Sequence, residues 1–249
     1  MGHALITAGT SGLGRQVTEK FLMAGHRVTA TYHRDGEKAQ AVKTELAPYR
    51  DLLHTEQVDV TDKQDLTRLT EQAVNVHGGI DYLVNNAGPF IFNHKKLLDY
   101  TDGEWQEMVN GNLDAAFHLL QLTVPHMRQQ QFGRIINYGF QGANHASGWP
   151  YRSAFAAAKS GLASLTKTVA AEEAPNRITA NMVCPGDITG DMKEAGIDAS
   201  RNVHDDTTPI GRPGTGEDIA RTIMYLCDQD SDMITGAIMD ITGGVDVKR

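Results

Sequence analysis

The feature that most constrains this chain is an alternation that runs its whole length. Short runs rich in β-branched and apolar residues are separated by longer stretches with helical periodicity. Ala4 to Thr7, Arg27 to Tyr32, Leu52 to Val58, Tyr82 to Asn85, Arg134 to Tyr138, Thr179 to Cys184 and Ala237 to Ile241 read as strands. Gly14 to Met23, Asp62 to Val76, Glu104 to Gln129 and Ser153 to Ala174 read as helices between them. Strands so continuous in apolar residues are covered on both faces, and intervening helices force parallel crossovers. The expected fold is α/β, a doubly wound parallel sheet of about seven strands. Its ligand site belongs beyond the carboxyl ends of the strands. No Pro/Ser-rich linker, charge run or repeat divides the 249 residues, so residues 1–249 are expected to form one domain.

Charge and cysteine usage narrow the function. With 23 Lys+Arg against 31 Asp+Glu the net charge is -8, whereas a nucleic-acid partner calls for a basic stripe. Cys184 and Cys227 cannot build a disulfide framework and fit a reducing compartment. The start, Met1-Gly2-His3-Ala4-Leu5-Ile6, has no basic n-region followed by an apolar stretch, and no run approaches the roughly 18 apolar residues of a membrane span. The ten histidines include no HExxH pair and no Cys/His cluster at ligand spacing, so no metal is expected. A cytoplasmic protein without a membrane or nucleic-acid partner is the expectation.

The 25 glycines exceed the roughly 17 that average usage gives, and several cluster where the chemistry is expected. Thr7-Ala8-Gly9-Thr10-Ser11-Gly12-Leu13-Gly14 joins the first strand to the first helix. Glycines there allow a tight turn and close backbone approach, and the helix N-terminus offers free N–H groups to a pyrophosphate. A plain Gly-rich turn is the alternative for that segment alone.

The segment resembles the Thr-Gly-x-x-x-Gly-x-Gly loop of the short-chain dehydrogenase/reductase family. Thr7, Gly12 and Gly14 match, while Ala8 stands at the first glycine and Gly9 is displaced by one. The resemblance continues through Asn85-Asn86-Ala87-Gly88, Asp59-Val60, Pro185-Gly186 with Ile188, and the tail Pro209-Ile210-Gly211-Arg212 to Gly243-Gly244. It covers essentially the whole chain and is nearest to bacterial 3-oxoacyl-carrier-protein reductases. It implies a Rossmann-like fold and a nicotinamide dinucleotide. Thr7, Gly9, Thr10, Ser11, Gly12, Leu13, Gly14, His33, Arg34, Asp59, Val60, Asn86, Ala87, Gly88, Lys159, Pro185, Gly186 and Ile188 are the implied cofactor residues. Tyr32 stands at the family's acidic position after the second strand, followed by His33 and Arg34. With no carboxylate there to repel a 2′-phosphate, NADP is favoured over NAD.

The family's catalytic tetrad is Asn, Ser, Tyr and Lys. Asn112 and Lys159 align with its first and last members, but Phe140 and Phe155 stand at the serine and tyrosine. A phenol can protonate a developing alkoxide and a phenyl ring cannot, and losing a general acid alone costs about 10²–10⁴ in rate. Tyr151, one helical turn before Phe155 if the helix reaches that far, and His145 in the preceding loop are the candidate replacements. The resemblance further implies that the Ala-rich helix from Ser153 forms an oligomer face, giving a dimer or tetramer, and that residues 189–208 form a lid. Two functions stay open: a reductase with a relocated donor acting on an unknown small molecule, and a non-catalytic cofactor-binding scaffold or sensor.

Overall fold

The computed structural model describes residues 1–245. Its sheet has seven strands: β1 (His3–Ile6), β2 (Arg27–Tyr32), β3 (Leu53–Gln57), β4 (Tyr82–Asn85), β5 (Gly133–Tyr138), β6 (Ile178–Pro185) and β7 (Ile238–Ile241). All neighbours are parallel, in the order β3-β2-β1-β4-β5-β6-β7. The order reverses between β1 and β4, which opens a crevice at their carboxyl ends. The expected strands are all found, β2 and β4 with the expected ends and the others with ends moved by one residue.

Alternation along each strand divides the core in two. Ala4 and Ile6 of β1 pack with Val84 and Ile136 against α1 (Gly12–Met23), α2 (Gly36–Glu45) and α7 (Gly216–Cys227). Leu5, between them, joins Leu83 and Ile135 on the other face. There it meets α3 (Lys63–His77), α5 (Ala115–Gln130) and α6 (Ser153–Glu173).

Two expectations about helices are corrected. Residues 104–129 do not form one helix: α4 (Asp102–Val109) and α5 are separated by a single π turn, Asn110–Asp114. The bulge is held by Asn112, whose side-chain amide donates to the Met108 carbonyl at 3.0 Å and the Pro89 carbonyl at 2.9 Å. A Cβ on Gly111 would lie 2.2 Å from Pro89, so only glycine lets the bulge meet that loop. Bulges of this kind concentrate at functional sites. The second correction concerns Tyr151. Helix α6 begins at Ser153, and Tyr151 lies in the preceding turn with φ +64°, so it does not share a helix face with Phe155 and Lys159.

Candidate active site

The crevice is built on the turn between β1 and α1. Gly14 is fixed by close approach, because a Cβ there would lie 2.3 Å from the Ala8 carbonyl oxygen. Gly12 has φ +57° and open space where a side chain would be. Ala8 itself adopts φ +50°, so the turn keeps a left-handed conformation without glycine at that position. The loop after β4 is stitched to this turn. The Thr7 hydroxyl accepts the Asn86 and Ala87 N–H groups at 3.0 and 2.9 Å. The Asn86 amide donates back to the Thr7 and Ala8 carbonyls.

The start of α1 holds an anion in this structure, supplied by the chain itself. Ser11 makes no side-chain cap. Instead the Gly12 N–H donates to Glu194 Oε1 at 2.7 Å, and Arg15 pairs with Glu194 Oε2 at the same distance. Gln16 also binds the Glu194 carbonyl. A carboxylate oxygen on the Gly12 N–H, paired with Arg15, is the kind of contact a diphosphate would make at a helix start.

Beside the turn lies a cavity of about 670 Å³. It brings together Thr10, Ser11, His33, Arg34, Asp59, Val60, Ala87 and Gly88 from the sequence-derived set. His33 Nε2 lies 3.4 Å from Asp59 Oδ2. Hydrogen bonds from Thr61 hold the Asp59 carboxyl below the usual carboxylate range. Asp35 spends its carboxylate capping α2 through the Lys38 N–H at 2.9 Å, whereas exposed Arg34 has no ion pair among the described residues. Thr7 and Gly9 are buried beneath this cavity and shape the turn from inside.

A second chamber, of about 260 Å³, opens over the ends of β4, β5 and β6. Leu13, Asn86, Gly88, Asn112, Lys159 and Pro185 line it together with Phe140 and Phe155. Gly186 and Ile188 face a neighbouring cavity of about 530 Å³ under the 189–208 segment. Lys159 is 4% exposed, and burial lowers its ammonium pKa to about 8. Its Nζ sits 5.7 Å from the Phe155 ring centroid, and among the described residues it has no hydrogen-bond partner. Asn112 Oδ1 and the Tyr138 hydroxyl are also buried without partners. Burial pushes the Tyr138 phenol far above its ordinary value, so it keeps its proton.

The structure leaves both proposed replacement donors outside this chamber. Tyr151 is exposed and stacks on His94, ring centroids 5.4 Å apart. His145 is exposed in the turn after β5 and lines neither cavity. Tyr138, which shares a strand side with Phe140 and could be considered as a donor, proves buried, and Phe90 is not found by sequence reasoning. Phe90 follows Asn85-Asn86-Ala87-Gly88 by two positions, and that proximity was the one available signal.

Among the described residues no helix is long and apolar enough to cross a membrane. Residues 7–246 match the family profile described as enoyl-(acyl carrier protein) reductase. The chain is 58% identical over 248 residues to YtkK of Bacillus subtilis (strain 168), a protein provisionally named an oxidoreductase, with 99% of this chain and 97% of the relative covered. A solved Bacillus thuringiensis structure, provisionally named a 3-oxoacyl-reductase, superposes with a TM-score of 0.95 at 60% identity and full coverage of both chains. The structure of ElxO with NADP bound gives a TM-score of 0.85 at 30% identity, with 98% of each chain covered. With the sheet order, the Gly-rich turn and these similarities in hand, the chain belongs to the short-chain dehydrogenase/reductase family.

Proposed function

We propose that this protein binds NADP(H) and works as a reductase of the 3-oxoacyl-reductase-like kind with a non-standard active site. Phe140 and Phe155 would stand where relatives present the catalytic serine and tyrosine. The observation that carries this reading is the chamber beside the dinucleotide crevice, with the buried Lys159 ammonium and the Asn112 amide at its base. A protein that only stored a dinucleotide would have no use for that space.

The bound dinucleotide supplies hydride chemistry. The rest falls to the chain. The Gly12–Gly14 backbone and the start of α1 hold the diphosphate, and a 2′-phosphate meets Arg34 and His33. Lys159 presents a proton and a positive charge to acceptor oxygens at the chamber floor, where exclusion of water strengthens both. Mostly protonated at pH 7, it loses that charge as pH rises through about 8, so activity resting on it falls over the same range. The π turn fixes Asn112. Phe140 and Phe155 keep water out and donate no proton.

The second reading, a cofactor-binding scaffold or sensor, is favoured by one contact. The ring that the Lys159 ammonium meets on α6, 5.7 Å from its centroid, is a phenyl ring, not a phenol. Two measurements separate the readings. NADPH titration by fluorescence is expected to give saturable binding, and its absence overturns both. A turnover screen with carbonyl, enoyl and imine substrates is expected to show NADPH-dependent reduction by the native protein. The double variant Phe140→Ser with Phe155→Tyr is expected to raise carbonyl reduction at least tenfold. No native turnover on any of the three classes supports the scaffold.

A further inference from the structure

The outer wall of the chamber is made almost wholly of aromatic rings, and they come from three separate parts of the chain. Phe90 follows β4, Phe140 and Trp149 lie in the loop after β5, and Phe155 is on α6. Phe140 and Trp149 stack at 5.4 Å with 22° between planes. Phe155 stands edge-on to both Trp149, at 6.0 Å and 72°, and Phe90, at 5.0 Å and 87°. Phe140–Phe155 and Phe90–Trp149 are tilted, at 57° and 49°, so the rings form a faceted wall to a chamber that Lys159 and Asn112 also line. Trp149 is 37% exposed, and Phe90 and Phe155 are half-buried. Ring surface therefore stays open to whatever enters.

Three classes of occupant can be weighed on this geometry. Aromatic cages attract cations, but two cations are already against these rings. Arg152 lies 5.0 Å from the Phe90 centroid and Lys159 Nζ lies 5.7 Å from that of Phe155. A ligand cation would meet like charge at both. A long flexible acyl chain is disfavoured by the size of the chamber, which at about 260 Å³ falls at or below the small end of ligand pockets. Such a chain also loses rotamer freedom on binding. A small, rigid, uncharged conjugated group loses little freedom and gains from each offset or edge-on ring contact it makes.

We propose that the chamber takes a small, flat, uncharged conjugated carbonyl compound. It would be an aryl-substituted α,β-unsaturated aldehyde or ketone, its rigid π-system against the open ring surfaces of Trp149, Phe90 and Phe155 and its carbonyl oxygen toward Lys159. This names the substrate class of the reductase and rests on that reading. The missing hydroxyls and the aromatic wall then have one origin. Phe155 replaces a proton-donating side chain with surface for the substrate's flat face, while Phe140, 4% exposed, backs the Trp149 ring from behind.

The test uses the full chain and calorimetry, first without cofactor and then with saturating NADPH. The probes are benzylideneacetone, its saturated counterpart 4-phenylbutan-2-one, and benzyltrimethylammonium. Benzylideneacetone is expected to bind at least fivefold more tightly than the saturated ketone, and the cation weakest of all. Trp149→Ala is expected to weaken benzylideneacetone five- to tenfold and leave NADPH binding within twofold, while Trp149→Phe restores most of the loss. Because Trp149 sits on an exposed loop, its loss leaves the core intact. Equal affinity for the two ketones, tightest binding of the cation, no binding of benzylideneacetone in either state, or no effect of Trp149→Ala would each overturn the proposal. Failure of NADPH to bind would instead overturn the cofactor reading, and the cofactor-free titrations would still judge the chamber.

Discussion

Arg134 and Lys159 are both buried cations, 2% and 4% exposed, and they sit at opposite ends of the same sheet. Arg134 lies near the start of β5. Its guanidinium donates to the carbonyls of Gly133, Arg177, Asp228 and Gln229 at 3.0 to 3.3 Å and covers the Phe132 ring. Lys159 faces the carboxyl ends of the strands with no partner among the described residues. His3 and Asn112 repeat the contrast. At the amino-terminal end His3 binds the Gly79 carbonyl through Nδ1 and the Thr29 hydroxyl through Nε2, whereas Asn112 Oδ1 in the crevice is unpartnered. A buried polar group without a partner costs about 1–3 kcal/mol. In these two pairs the amino-terminal groups are spent on protein contacts and the crevice groups stay open, although Thr179 Oγ1 and His77 Nε2 at the amino-terminal end are unpartnered too.

The contrast is broken most directly at Arg134. Arg134→Met keeps the apolar stem but orphans four carbonyls, so a loss of about 3–5 kcal/mol is expected. Urea denaturation reads this, with NADPH affinity staying within twofold. A loss of cofactor affinity with little loss of stability would reverse the roles assigned to the two ends.

Acid provides the next largest effect at the same end. Burial pushes the His3 pKa down to about 4, against about 6.5 in an unfolded chain. Between those values the unfolded state binds more protons, so stability falls as pH drops from about 6.5 through about 4. The shift corresponds to about 3 kcal/mol from this residue. Burial lowers the pKa of His26 and His77 as well, and they add to the loss in the same direction. Urea midpoints between pH 7.5 and 4.5 should show the slope, and His3→Gln should flatten it. An unchanged slope in that variant would remove His3 from the account.

At the ligand end the sign reverses. Lys159→Met removes a buried charge, so the cofactor-free protein should gain about 1–3 kcal/mol at pH 7. Over the same change NADPH binding should weaken at least tenfold. The advantage should shrink as pH rises from about 8, where folded Lys159 loses its proton, toward the unfolded value near 10.4. Above both values the lysine is neutral in either state. A destabilised variant with undiminished cofactor affinity would make Lys159 structural and erase the contrast.

The two ends also differ in how far the sequence discloses them. All seven strands are visible as short apolar and β-branched runs between helical stretches, and the Gly-rich turn is visible because close packing admits nothing larger than glycine at position 14. The π turn is hidden: helical periodicity continues through 104–129, and only the fold places Pro89 against Gly111. The aromatic wall is hidden for a related reason. Phe140 and Phe155 are visible as replaced catalytic positions, but nothing local says that Phe90, some fifty residues before Phe140, and Trp149 complete a wall with them. The helix start of α1 shows the same limit, because Glu194 reaches Gly12 across 182 positions. Local pattern reveals elements, while a ligand site is a meeting of their ends.

The smallest effect tests whether strain as well as open polar groups gathers at the ligand end. Ala8 holds φ +50° in the turn beneath the dinucleotide crevice, where its N–H donates to Thr31 Oγ1 at 3.0 Å. A left-handed conformation costs a non-glycine residue about 1–2 kcal/mol. Ala8→Gly removes that strain but frees the unfolded chain, which takes back about 0.4–1 kcal/mol. The net expectation is a gain of about 0.5–1 kcal/mol in urea denaturation, with NADPH affinity within threefold. Alanine at this position would then be a stability cost carried at the site, in keeping with the orphaned Lys159 and Asn112 beside it. If glycine instead destabilises the protein, the Ala8 methyl makes packing contacts worth more than the strain, and the cost at this end lies in its polar groups alone.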